Sequence, residues 1–178
     1  MRLYRQTVQD FCLYNGLELT EEEYSKLKDA ASKMSAKMRA VRIVSASSVS
    51  RQDLQQRLIQ KGEDAEAAIA AVGWMEELNL LDDRRTAEQI VERCISKGYG
   101  VARAKQALYE KRIPKSYWQE VLEDYPDQEA YIQAYVEAHL PEKPDQKAVK
   151  KVIDALLRKG HGYGIIRRVL YEADVMED

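Results

Sequence analysis

Three stretches constrain the fold of this chain more than anything else in it: "LIQKGEDAEAAIAAV" from Leu58, "LYEKRIPKSYWQEVL" from Leu108 and "LLRKGHGYGIIRRVL" from Leu156. Each reads Leu-x-x-Lys, then Gly or Arg, then a helix start two residues on and an apolar pair within the next turns. Their first leucines stand 50 and 48 residues apart. A fixed period in this range marks a repeat array, in which each unit buries its apolar face against its neighbours.

The intervening sequence supplies the rest of each unit as helices. Thr20 followed by Glu21-Glu22-Glu23 is a capping-box signature. Behind it Tyr24, Leu27, Ala31, Met34, Met38 and Val41 recur at spacings of three and four, which predicts a long helix with one inward stripe. "SASSVS" breaks that helix, and Ser50 with Asp53 caps the next, which turns Leu54 and Leu58 inward. Ala65, Ala68, Ile69, Val72, Met75 and Leu78 predict the apolar side of a third. Asp82 as N-cap and Asp83 as a first-turn charge then open a helix carrying Ala87, Ile90, Val91, Cys94 and Ile95. Further helices carry Val101, Ala104, Ala107 and Leu108, then Trp118, Val121 and Leu122 behind Pro114, which suits a first turn. The last two carry Val149, Val152, Ile153, Leu156 and Leu157, then Ile165, Ile166, Val169 and Leu170. The predicted spans are 21–44, 50–61 and 64–79; 83–97, 100–112 and 114–124; 127–139, 145–159 and 163–173.

No segment alternates strictly over strand length, and four prolines and eight glycines are too few turn signals for a sandwich or barrel. The expected fold is all-α, an elongated array of three tandem three-helix repeats at 21–81, 82–124 and 125–178. Residues 1–20 form an N-terminal extension, either a helix or an arm.

Net charge over the 178 residues is only −2, but its distribution is uneven. Residues 84–115 hold nine Lys/Arg against three Asp/Glu, 116–145 one lysine against eight acids, and 147–168 seven basic residues against one acid. Blocks of alternating sign point to separate faces with different partners. The two cysteines, Cys12 and Cys94, are too few for a disulfide framework. The N-terminus lacks the apolar core of a signal peptide and no run approaches a membrane span, so a cytoplasmic, reducing setting with no membrane partner is expected.

Enzymatic readings fail on their motifs. Gly98-Tyr99-Gly100 lacks the third glycine of a dinucleotide fingerprint and follows an amphipathic helix rather than a strand. "GHGYG" at 160–164 also follows a helix. The expected role of Gly98 is the left-handed position ending one helix, with Gly100 preceding the next. His139 and His161 have no metal-ligand spacing to each other or to the cysteines. The acidic pairs lie at helix starts, where they cap and offset the dipole. No catalytic residue, metal or cofactor is expected.

The basic strips remain. Arg84, Arg85, Arg93 and Lys97 fall on the polar side of one helix; Arg103, Lys105, Lys111 and Arg112 on the outer side of the next, with Lys115 just beyond. In the third repeat Lys147, Lys150, Lys151, Arg158, Lys159, Arg167 and Arg168 occupy the corresponding side. Tyr99, Tyr109, Tyr117 and Tyr163 are interleaved, and tyrosine stacks on unpaired bases. A solvated helical face, a polyanion-binding face and a surface for an acidic protein groove all fit this pattern.

Over residues 34–173 the chain resembles the RecX family, bacterial regulators of the RecA recombinase. "SVSRQDLQQRLIQKG" (48–62) resembles the family's Ser-x-x-(Glu/Asp)-Leu…Leu-x-x-Lys-Gly stretch. "LNLLDDRRTAEQIVERCISKGYGVARAKQALYEKRI" (78–113) resembles its Leu-x-Asp…Ala…Gly-Tyr-Gly…Leu-x-x-Lys-Gly-Ile core. "LLRKGHGYGIIRRVL" (156–170) resembles its terminal Leu-x-x-Arg-Gly-Phe…Ile. Thr86 stands where the family often has an aromatic, "SASSVS" lacks the usual basic residues, and Arg112 replaces the expected glycine.

The resemblance implies a non-enzymatic, monomeric regulator that binds RecA filaments on single-stranded DNA. It would restrain filament growth, ATP hydrolysis and strand exchange in DNA repair and the SOS response. The contact set would be Arg84, Arg85, Arg93, Lys97, Arg103, Lys105, Lys111, Arg112, Lys115, Arg158, Lys159, Arg167 and Arg168. The residues alone leave two alternatives open: a stand-alone nucleic-acid-binding helical repeat, and a helical scaffold for an acidic protein.

Overall fold

The computed structural model describes residues 3–173 and 175, and the chain divides into two compact units, Met1–Thr86 and Ala87–Asp178. The described residues form ten α-helices and one short 3₁₀ turn, with no strand. After α1 (Arg5–Asp10) the helices come in threes: α2 (Glu21–Ala46), α3 (Arg51–Gln60) and α4 (Ala65–Glu77); α5 (Asp83–Ser96), α6 (Val101–Glu110) and α7 (Trp118–Glu123); α8 (Gln128–His139), α9 (Gln146–Arg158) and α10 (Tyr163–Glu172). The all-α repeat fold read from the sequence is the fold observed.

In the first unit the capping box forms as expected. Thr20 accepts from the Glu23 N–H, and the Glu23 carboxylate accepts from the Thr20 N–H at 2.9 Å. Ser50 caps α3 through the Asp53 N–H, and Asp64 caps α4. The core is built from Ala36 and Ala40 of α2, Leu54 and Leu58 of α3, and Ala67, Ala68, Ala71 and Met75 of α4. Small side chains at these positions let the α2 and α4 backbones approach closely.

That core corrects the expected α2 stripe. Leu27 and Ala31 are buried, but Tyr24 and Met38 are exposed. At 100° per residue Ala36 and Ala40 lie on the opposite side of the helix from Leu27 and Ala31. The helix therefore has two buried sides, and large apolar residues alone trace only one. In α4 the buried residues Ala67, Ala68, Ala71, Val72 and Met75 share one face, which leaves Ala65 and Ile69 outside it and exposed, as is Leu78 just past the helix end. In α5, Ile95 is exposed where the spacing predicts an inward position.

Asp82 accepts from the Arg85 N–H and so caps α5 as expected. Asp83 does more than neutralise a first turn: it is buried and accepts from the Arg51 N–H at 2.8 Å, tying α5 to the start of α3. Burial raises its carboxyl pKa, and the Arg51 contacts oppose that rise.

In the second unit Ala87, Val91, Leu108 and Ile113 form one cluster, with Trp118, Val121 and Leu122 against it. Ile132, Val136, Val149, Val152, Leu156, Ile166, Val169 and Leu170 form another. Pro114 precedes the 3₁₀ turn rather than starting α7, and Trp118 Nε1 donates to the Ile113 carbonyl at 3.0 Å.

The recurring Leu-x-x-Lys-Gly/Arg word is a helix-ending turn. The Glu63, Ile113 and His161 amides donate to Leu58, Leu108 and Leu156 at 3.1, 3.0 and 3.1 Å. The Gly62, Arg112 and Gly160 amides donate to Ile59, Tyr109 and Leu157, each at 2.9 Å. This bond pair defines the Schellman motif, and it requires a left-handed residue after the cap. Gly62 and Gly160 supply it at φ 86° and 87°, and Arg112 adopts it at φ 53°. Each leading leucine is fully buried, which anchors the turn to its core.

Candidate basic interface

The α5–α6 loop packs on the α9–α10 loop through backbone contacts. Gly98 is left-handed at φ 62° and ends α5, as expected. Gly100, with φ −78°, needs no unusual conformation. Its N–H donates to the Lys159 carbonyl at 2.9 Å, and a Cβ on it would collide with the Gly160 carbonyl. A Cβ on Gly160 would in turn strike the Arg103 backbone. These glycines therefore permit a backbone-to-backbone contact between repeats, beyond the helix break read from the sequence.

His161 closes the joint. It is 4% exposed, its Nε2 lies 3.2 Å from the Gly98 carbonyl and its Nδ1 3.2 Å from Gln128 Oε1. Its ring stacks on Tyr131 at 5.2 Å. Burial depresses its pKa; the Gly98 bond opposes this and the Lys159 charge adds to it. Both facing oxygens accept, so the single N–H of the neutral ring that burial favours serves one of them. Tyr125 donates to the Tyr99 carbonyl at 2.6 Å on the same loop, and burial pushes its pKa up to about 12.

This packing sets the Arg103 backbone against Gly160. Arg103, Lys97 and Arg93 also share one electrostatic target, the buried Cys94 thiol. Burial raises that thiol's pKa while the three charges lower it.

The remaining candidates are more dispersed. Lys105, Lys115, Arg158 and Arg167 are exposed. Lys111 and Arg112 lie past the end of α6, half-buried in its terminal turn rather than on the helix's outer side. Lys159 is partly committed: its Nζ donates to the Tyr131 hydroxyl at 2.6 Å and lies over the Tyr131 and Tyr135 rings. Arg168 pairs with Glu129 at 3.3 Å. Arg84 and Arg85 are exposed in the first turn of α5, within the first unit. Of the interleaved tyrosines, Tyr109 and Tyr163 are exposed, whereas Tyr117 packs into the core.

Metal-ligand spacing, the pattern by which a histidine is usually read from sequence, says nothing of the structural role His161 takes. The spacing Tyr131, Tyr135, His139, one ring every four residues, signals a stacked aromatic row on α8, and His161 caps that row. Among the described residues no group of three His, Cys, Asp or Glu could hold a metal, and no helix is long and apolar enough to cross a membrane.

Comparison with known proteins agrees with this architecture. The family description "RecX, second three-helix domain" matches residues 82–122, the span of α5 to α7. Regulatory protein RecX of Clostridioides difficile (strain 630) is 29% identical over 174 residues, covering 94% of this chain and 82% of that protein. Regulatory protein RecX of Chlorobaculum tepidum is 31% identical over 146 residues, covering 80% of this chain and 90% of its own. A crystal structure of regulatory protein RecX superposes with a TM-score of 0.71 at 19% identity, over 92% of this chain and 84% of the other. RecX from Lactobacillus salivarius does so at 0.66 and 20% identity, over 83% and 99%. With the helical repeats in place and a 31% identical relative matched over nine-tenths of its length, this chain belongs to the RecX family of regulatory proteins.

Proposed function

We propose that this protein regulates RecA by binding its filament on single-stranded DNA through the basic residues of the second and third repeats, without catalysing a reaction itself. The repeats are taken as 21–81, 82–124 and 125–178, after an N-terminal extension. The observation that carries the proposal is the Gly100–Gly160 contact, which joins the start of α6, the helix of Arg103, to the turn that follows Lys159. Basic residues carried on two joined repeats can follow the charge of a filament, where a single strip would touch it at one point.

The test is a titration of RecA ATPase on single-stranded DNA. Substoichiometric protein is expected to slow hydrolysis, and reversing Arg103, Lys105, Lys111 and Arg112 together to abolish the effect. Unchanged hydrolysis with the unaltered protein would sink the proposal.

A further inference from the structure

A groove between α8 and α9 combines the two chemistries that single-stranded nucleic acid needs. Its volume is about 470 Å³, and Tyr135, His139, Lys147, Lys151 and Val152 are among the residues lining it. That is within the range of small-ligand sites, roughly 300–1,000 Å³. His139 stacks on Tyr135 with ring centroids 3.9 Å apart and planes 13° from parallel. Tyr135 continues to Tyr131 at 6.3 Å, and Tyr131 to the buried His161 at 5.2 Å. The four rings form a column with one end anchored in the joint between repeats. At the other end His139 is exposed and stacks on Tyr135.

The lining charges favour an anion. Lys147 and Lys151 are exposed and one helical turn apart on α9. The acid in the groove, Asp145, is engaged as the N-cap of α9, accepting from the Ala148 N–H at 2.7 Å. A flat aromatic surface beside paired ammonium groups is the arrangement on which unpaired bases stack while their phosphates are neutralised. Paired bases are already stacked within their duplex and cannot use the ring face.

We propose that this groove binds one nucleotide of single-stranded DNA, with its base on His139 and its phosphate between Lys147 and Lys151. The site lies outside the basic set assigned to filament binding. It requires no recombinase, so either reading can fail while the other stands.

Fluorescence anisotropy of a short labelled oligo(dT) with the full chain tests it. His139→Ala is expected to weaken binding at least about fivefold, and His139→Phe, which keeps a ring face, to retain it. Lys147→Ala and Lys151→Ala should each lower the slope of log affinity against log salt by about 0.7. Circular dichroism of each variant separates lost binding from lost fold. The proposal is overturned if the unaltered chain does not bind the strand, or if a folded His139→Ala binds as tightly as the parent. It is equally overturned if duplex DNA or poly-glutamate competes as well as the strand. Competition by free dTMP at the same concentration as the oligonucleotide would assign the groove to a free nucleotide instead and overturn the strand.

Discussion

Gly100 donates its backbone N–H to the carbonyl of Lys159 at 2.9 Å, and this one bond joins the helix break of the second repeat to that of the third. A methyl group on Gly100 would collide with the Gly160 carbonyl, a backbone atom with no rotamer to move away. Gly100→Ala is therefore expected to destabilise the protein by about 2–3 kcal/mol, as overpacking against a rigid neighbour does. Gly164→Ala is the control: a methyl group there would meet nothing within 4 Å, and the residue sits inside α10. At that position alanine should stabilise by roughly 0.5–1 kcal/mol. Urea unfolding of the two variants measures the difference.

The left-handed position after each Leu-x-x-Lys separates strain from contact. Gly62→Ala should cost about 1 kcal/mol from φ alone, since the space around it is open. Arg112→Gly should change stability in the opposite direction, by up to about 1 kcal/mol, because a side chain leaves a conformation that disfavours it. Thermal melts of both variants check the signs.

His161 predicts acid sensitivity. Its pKa in the folded state lies below the unfolded value of about 6.5, so the unfolded chain binds the proton more readily. Its contribution is complete above that pH and is lost as pH falls from about 7 toward and through the folded value. His161→Gln should flatten that part of the stability profile. Asp83 contributes with the opposite sign: burial raises its folded pKa, so acidification toward 4 relieves rather than adds to a penalty. Denaturation midpoints between pH 7 and 4, for the parent and for His161→Gln, isolate the histidine contribution.

Charge reversal should rank the basic residues by how free their side chains are. Arg103→Glu is expected to lose more affinity for RecA filaments than Arg168→Glu, whose arginine already serves Glu129 at 3.3 Å. The Arg103 loss should shrink as salt rises. Filament co-sedimentation at two salt concentrations measures both effects.

The sequence by itself determined what depends on neighbours within a turn or two. The Thr20–Glu23 capping box, the Ser50 and Asp82 caps, the left-handed Gly98 and the all-helical repeat follow from bonds spanning no more than five residues. Such bonds leave a spacing pattern that can be read directly. Tertiary structure decided the second buried side of α2, where Ala36 and Ala40 meet α4, because alanine carries little apolar signal and its burial depends on what approaches it. It also decided the fate of His161, whose partners Gly98 and Gln128 stand 63 and 33 positions away. The joint between Gly100 and Gly160 belongs to the same class. Both glycines were visible in the chain, but their missing side chains matter only once the two loops are brought into contact.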